Sequence, residues 1–119
     1  MIDCPVCKSK LAVAKLQCEG CKVMFEGRFS LPRLARLEPE LRQLAEQMLL
    51  CGGNLKNLAE IVGVSYPTLR RKVDDLIAAL TELRRADKQT VEAILEGIEK
   101  GRIPAETGIR QIRELQGEI

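Results

Sequence analysis

The chain has 119 residues, of which 45% are hydrophobic, 30% charged and 3% aromatic, with a formal net charge of +2. This composition excludes a disordered polymer, leaves Leu, Ile, Val and Ala to build any core, and leans toward helix. No apolar run approaches the roughly 18–20 residues of a membrane span. The absence of His removes Cys–His dyads, Ser–His–Asp triads and the usual acid–base residue of neutral pH, so no enzyme is expected.

The N-terminal MIDCPVCK has no basic stretch followed by an apolar one. No signal peptide is expected, and a cytoplasmic location is. In a reducing compartment, cysteines in pairs point to metal or redox work and not to disulfides. Four of the five cysteines form the pairs Cys4-Pro5-Val6-Cys7 and Cys18-Glu19-Gly20-Cys21, with ten residues between them. A Cys-x-x-Cys turn folds back tightly enough for both sulfurs to occupy two corners of one tetrahedron. Two such turns complete a four-sulfur Zn²⁺ site with Zn–S distances of about 2.3 Å. Four thiolates leave no open coordination position, so Cys4, Cys7, Cys18 and Cys21 are expected to hold one structural Zn²⁺ and not to activate water. In so short a segment the metal replaces a core too small to fold alone. The alternative is a redox dithiol, which ordinarily needs a single Cys-x-x-Cys within an α/β fold, a pattern absent here.

Leu11–Gln17 and Val23–Phe29 read as two short strands, each placed after a Cys-x-x-Cys turn. Lys8 and Lys22 follow those turns at positions where a left-handed backbone favours Gly. Cys51, within LLCGG, is expected as a buried or partly buried thiol and not as a fifth ligand.

From Glu38 the pattern becomes helical. Pro39 suits a first turn, and Leu41, Leu44, Ala45, Met48 and Leu49 recur at three-to-four spacing until Gly52-Gly53. Asn54 is a good N-cap for Leu55–Val62, whose apolar face is Leu58, Ala59, Ile61 and Val62. Gly63 stops this helix. Ser65 caps the next, Pro67 is tolerated in its first turn, and Leu69, Val73, Leu76 and Ile77 form the expected inward stripe. A short helix, a Gly-containing turn and a second capped helix form a helix-turn-helix. Its outer face presents Ser65, Tyr66, Thr68, Arg70, Arg71 and Lys72 as candidate DNA contacts: Arg reads guanine bidentately, and Ser, Thr and Lys hold the backbone. The alternative is a three-helix bundle with a merely solvated basic run, since Asp74 and Asp75 follow immediately.

Residues 87–119 read as two helices around Gly101-Arg102-Ile103-Pro104. Val91, Ile94, Leu95 and Ile98 form one apolar stripe, and Ile109, Ile112 and Leu115 form another. The two helices cover each other and leave apolar surface for a partner or for packing on the preceding domain. Charge divides unevenly: residues 1–37 carry +4, residues 38–86 are balanced and residues 87–119 carry −2. Zinc held by four thiolates adds about −2, leaving the molecule near neutrality, so any case for nucleic acid must be local.

CPVC, CEGC, the linker EGRFSLPRLARL and CGGNLKNLAEIVGVSYPTLRRKVDDLI resemble a bacterial and archaeal family defined by a domain of unknown function. That family joins a zinc ribbon to a helix-turn-helix like region 4 of sigma factors. The resemblance covers roughly residues 1–80 and implies a DNA-binding regulator, with Ser65, Tyr66, Thr68, Arg70 and Arg71 at recognition-helix positions. Glu38 stands where family members often have Ser. VEAILEGIEKGRIPAETGIRQIREL also resembles the SHOCT-like helical hairpins at the ends of bacterial envelope-stress and regulatory proteins, many of which have Thr where Pro104 stands.

The expected protein is mainly α with a small β zinc ribbon. Residues 1–37 are the ribbon and linker, 38–86 the helix-turn-helix bundle and 87–119 a C-terminal helical hairpin. The expected function is a cytoplasmic, DNA-binding transcriptional regulator, with zinc as scaffold and the tail as a self-association module that makes a homodimer. The alternative is an adaptor that binds a regulator or the transcription machinery, in which the tail meets a protein partner and no DNA is touched. No membrane is expected in either case. The long helical stretch Leu69–Arg85 is a second candidate for dimer pairing, through Leu76, Ile77, Leu80 and Leu83.

Overall fold

The computed structural model describes residues 3–116; the outer limits of the first and third expected segments lie outside them. The chain runs through β1 (Val13–Gln17), β2 (Met24–Phe29), a 3₁₀ turn at Arg33–Arg36, and four helices: α1 (Pro39–Leu50), α2 (Leu55–Val62), α3 (Tyr66–Glu99) and α4 (Ala105–Leu115). The architecture is mainly α with one small antiparallel β hairpin, as the sequence leads one to expect. None of these helices is long and apolar enough to cross a membrane.

The hairpin pairs Lys15 with Glu26, Leu16 with Phe25 and Gln17 with Met24. Its register shifts between Val13 and Lys15, where Gly27 sits in the longer step of β2. Such a bulge strengthens the local twist. The strands begin later than the expected Leu11–Gln17 and Val23–Phe29: Lys10 is bridged to Asp3 ahead of β1, and the Val23 carbonyl is taken by Cys18 N–H ahead of β2.

The main core lies among the 3₁₀ turn and the first three helices. Leu37, Leu44, Leu58, Ala59, Leu69, Val73 and Leu76 are buried, with Leu41, Met48, Cys51 and Val62 packed around them. Local chemistry sets the helix limits. The Asn54 carboxamide accepts the Asn57 N–H at 3.2 Å, and the Ser65 hydroxyl accepts that of Thr68 at 3.4 Å, satisfying amides that a first turn leaves free. Gly63 ends α2 at φ 80°, a left-handed conformation that lets the chain turn at once into α3. Glu38 precedes α1 with no side-chain cap.

Three residues expected to face inward point outward. Leu49, Ile61 and Ile77 are each at least half exposed, because a helix turns about 100° per residue and each lies at the edge of its apolar stripe.

The largest departure concerns α3. It is one helix of 34 residues, about 51 Å long, and it passes without a break through the expected boundary between residues 86 and 87. Residues 80–92 contain no Gly or Pro, so nothing local stops the helix. Its inward face follows a 3–4 spacing: Leu69, Val73, Leu76, Leu80, Leu83, Asp87, Ile94 and Gly97. The second half of this helix and α4 form the C-terminal hairpin, turning at Gly101 with φ 73°. A Cβ on Gly97 would come within 2.6 Å of the Ile103 side chain, and one on Gly108 would collide with Ile98. The two glycines thus permit the close crossing. Ile94 is buried and Val91, Ile98, Ile112 and Leu115 are half-buried, while Leu95 and Ile109 stay outward. The two expected stripes are therefore largely spent on each other.

The tail also returns to the ribbon. The Ser30 hydroxyl donates to the Glu114 carbonyl oxygen, and Leu11, Phe29, Leu31, Leu83 and Leu115 border a shared cavity of about 300 Å³. Between ribbon and helices stands a buried ion cluster. Asp87, 6% exposed, accepts from Arg33 Nε at 2.8 Å, from Arg36 Nη1 at 3.0 Å and from Arg36 Nη2. Burial acts to raise the Asp87 carboxyl, but hydrogen bonds and positive charge from Arg36 and Arg33 outweigh it and hold the group below the usual carboxylate range. Arg36 Nε is buried without a partner among the described residues, which costs the cluster about 1–3 kcal/mol.

A carboxylate whose folded pKa lies below its unfolded value stabilises the fold above the unfolded pKa, and that stabilisation is lost as pH falls through the folded one. Wild-type stability is expected to drop below about pH 4. Asp87→Asn is expected to cost about 1–3 kcal/mol at neutral pH, less than a fully buried pair because both guanidinium groups reach solvent. It should also flatten the acid limb. Urea denaturation of both proteins from pH 3 to 7 measures both effects.

Candidate metal centre and nucleic-acid interface

The two Cys-x-x-Cys turns have the same backbone construction. In the first, Cys4 N–H donates to Ser9 O at 2.8 Å and Lys8 N–H to Cys4 O at 2.9 Å. In the second, Cys18 N–H donates to Val23 O at 2.8 Å and Lys22 N–H to Cys18 O at 2.9 Å. Val6 N–H points at Cys4 Sγ from 3.4 Å, an orientation that stabilises negative charge on sulfur. Lys8 and Lys22 take φ 63° and 65°, the left-handed conformation expected from their place in the sequence.

Each turn brings its own two sulfurs into contact. Hydrogen bonds from Ser9 and then from Cys4 hold the Cys7 thiol below its ordinary pKa. Hydrogen bonds from Cys21 and then from the Gly20 amide do the same for Cys18. Both shifts favour the thiolate, the form that binds a metal. All five cysteines are free thiols. Among the described residues, no three His, Cys, Asp or Glu side chains are gathered as a metal site would gather them. The structure thus presents two matched two-sulfur half-sites on one hairpin. Their donor set fits Zn²⁺: soft sulfur ligands, thiolate-favouring amides and tight turns. Cys51 lies apart, half-buried against the helical core.

The first turns of α3 carry the second candidate surface. Leu69, Val73 and Leu76 anchor this segment in the core. Ser65, Tyr66, Arg70, Arg71 and Lys72 are exposed, and Thr68 is half-buried. The Ser65 hydroxyl is committed to the cap and also donates to Thr68 Oγ1 at 2.9 Å, so these two hydroxyls order the helix start. Arg70 pairs with Asp74 at 3.2 Å, both side chains being about half exposed. Lys72 borders a polar groove with Glu40 and Asp75. Asp75 stands four residues beyond Arg71 on the same helix, but among the described residues Arg71 forms no ion pair with it as Arg70 does with Asp74.

Sequence reasoning missed the cluster of Asp87 with Arg33 and Arg36, which positions the ribbon on α3. A signal was present: Asp87 falls on the apolar 3–4 spacing of α3, and Arg33 and Arg36 are one turn apart in the linker.

The backbone strain at the turns yields a direct test. Lys22→Val is expected to destabilise the ribbon by about 1–2 kcal/mol relative to Lys22→Gly, since both remove the charge but only Val resists positive φ. Competition with a chromophoric zinc chelator ranks the two.

Family models match two adjoining parts of the chain. Residues 4–35 match the DUF2089 zinc ribbon, and residues 37–82 match the helix-turn-helix part of the same domain of unknown function. Neither match extends past residue 82, so the likeness of the tail to SHOCT hairpins rests on its sequence alone. Comparison with curated proteins and with solved structures found no match. A zinc ribbon implies zinc binding, and a helix-turn-helix is a nucleic-acid-binding architecture. With its paired cysteine turns followed by a capped helix-turn-helix, the chain belongs to the DUF2089 family of zinc-ribbon and helix-turn-helix proteins.

Proposed function

We propose that the protein is a non-enzymatic, cytoplasmic, DNA-binding transcriptional regulator that acts as a homodimer, with one structural Zn²⁺ held by Cys4, Cys7, Cys18 and Cys21. The observation that carries the DNA reading is the first turn and a half of α3. It is locked to the core by Leu69 and Val73 and presents Tyr66, Arg70, Arg71 and Lys72 to solvent. A rigid helix start of this kind enters a major groove, and its N-terminal side chains meet base edges and phosphates. Arg71 is the base-reading candidate, because Arg70 is engaged with Asp74. Lys72 suits a phosphate. Ser65 and Thr68 hold the helix start in register. Bound zinc supplies a cross-link between the two cysteine turns, which a hairpin of this size needs in order to stay folded.

The adaptor reading has one observation in its favour. Asp74 and Asp75 stand directly behind the basic run and are exposed, and acids facing a phosphate backbone oppose binding. That reading predicts no salt-sensitive retention of DNA.

Zinc content is expected to be one per chain in protein purified without added metal. Cys18→Ser should lose the metal and unfold the ribbon, whereas Cys51→Ala should retain it; unchanged zinc in Cys18→Ser would remove the four-cysteine assignment. For DNA, filter binding on genomic fragments at two salt concentrations is expected to show selective, salt-sensitive retention. Arg71→Ala should cost about 1–3 kcal/mol at a specific site, and Lys72→Ala should weaken all sequences alike. Wild-type retention by the variant with Arg70, Arg71 and Lys72 all changed to Ala would exclude this helix as the DNA-contacting element.

A further inference from the structure

Beside the ion cluster lies a feature that neither the zinc ribbon nor the helix-turn-helix uses: the cavity of about 300 Å³ between hairpin and helices. Its apolar wall takes one residue from each surrounding part: Val13 of β1, Phe29 of β2, Leu31 of the linker, Leu83 of α3 and Leu115 of α4. All five are only half-buried, so apolar surface stays open along the cavity. The charged residues of the same wall are both cations, Lys10 and Arg36, and among the described residues no Asp or Glu lines it. Around it three cations, Lys10, Arg33 and Arg36, face two carboxylates, Asp3 and Asp87, an excess of one positive charge. Two guanidinium groups share the single Asp87 carboxylate, and Arg36 Nε is buried with no acceptor among the described residues. The side chains of the Lys10–Asp3 pair are 77% and 46% exposed. Such surface pairs are worth little, so Lys10 can be drawn to another anion. In the adjoining groove Arg28 and Glu114 offset each other.

We infer that this cavity is a binding site for a small amphipathic carboxylate, one ionised carboxyl group on a hydrocarbon body. A pocket of this size, walled mostly by apolar side chains with a few polar groups, is the usual form of a small-molecule site. The occupant follows from charge complementarity. The apolar wall takes the body, and the unbalanced positive charge of Lys10 and the ion cluster takes a single negative head. A cavity of about 150 Å³ holds a six-carbon ring, so this one accommodates about eight to twelve carbons. A more highly charged ligand without such a body leaves the apolar wall in water, at a cost proportional to its area. Bound here, the carboxylate touches ribbon, linker, α3 and α4 at once and holds them together. The inference goes beyond the regulator reading and is independent of its DNA contact.

Isothermal titration calorimetry of the zinc-loaded full chain tests it. Octanoate is the probe, octanol supplies the same body without the charge, and acetate supplies the charge without the body. Octanoate should bind one per chain, about tenfold or more tighter than octanol, and acetate should not bind. Lys10→Glu should weaken octanoate about tenfold and leave octanol unchanged. Leu11→Asn, on the cavity wall and 44% exposed, should weaken both probes alike. Both substituted side chains already reach solvent, so the zinc content and thermal melt of each variant should match the wild type. No octanoate binding, equal binding of octanoate and octanol, or an octanoate affinity indifferent to either variant would overturn the inference. So would binding that appears only once residues 117–119 are removed, since the occupant would then be the chain's own end. A chain that binds octanoate in this way yet retains no DNA keeps the site and removes only the DNA reading.

Discussion

Asp87 occupies a place where the apolar seam of α3 would put a leucine, and two arginines of the linker close over it. Such a cluster adds little net stability over an apolar packing of the same volume. Its consequence is positional. A leucine at residue 87 would accept many neighbours, whereas a buried carboxylate tolerates only an arrangement that satisfies it. Because Arg33 and Arg36 lie between the zinc ribbon and the first helix, their hold on Asp87 fixes where the ribbon sits along α3. The Ser30 contact to the Glu114 carbonyl and the cavity shared by Phe29, Leu83 and Leu115 follow from that placement.

The continuity of α3 makes this placement matter for function. The exposed cations at its start and the glycine-packed hairpin at its end belong to one continuous helix. The helical core and the C-terminal hairpin are two clusters strung on the same face, with the ion cluster between them. Ribbon, helix-turn-helix and hairpin are three parts in sequence; the 3₁₀ turn, α1, α2 and α4 all pack on α3, and the β hairpin is tied to the helices through Ser30 and the linker arginines.

The zinc ribbon and the helix-turn-helix are built in different ways. The ribbon uses tight turns, strained lysines and thiolate-favouring amides to prepare for a metal, and it exposes most of its side chains because a metal can replace a core. The helix-turn-helix has a genuine apolar core and uses caps at Asn54 and Ser65 to define where α2 and α3 begin. The local balance of charge at the start of α3 is close: Arg70 is offset by Asp74, and Lys72 neighbours Asp75. On the proposed DNA-binding reading, a surface so nearly neutral would derive selectivity from the placement of a few groups, Arg71 above all, and little from bulk attraction.

Short-range chemistry was legible in the sequence. The two Cys-x-x-Cys turns, their left-handed lysines, the caps at Asn54 and Ser65, the Gly63 stop and the stripe of Leu69, Val73 and Leu76 each depend on residues within about one turn of each other, so local spacing alone determines them. The tertiary structure decided what depends on distant partners. Leu49, Ile61 and Ile77 sit at the edges of apolar stripes, and whether such a residue is covered depends on how broad the neighbouring element is. The run from Leu80 to Thr90 contains no residue that stops a helix and none that forbids a joint, so one long α3 or two shorter helices are equally consistent with it locally. The crossing at Gly97 and Gly108 and the pairing of Asp87 with arginines 51 and 54 residues away resolve that choice, because burying a carboxylate is tolerable only where the whole fold brings positive charge to it.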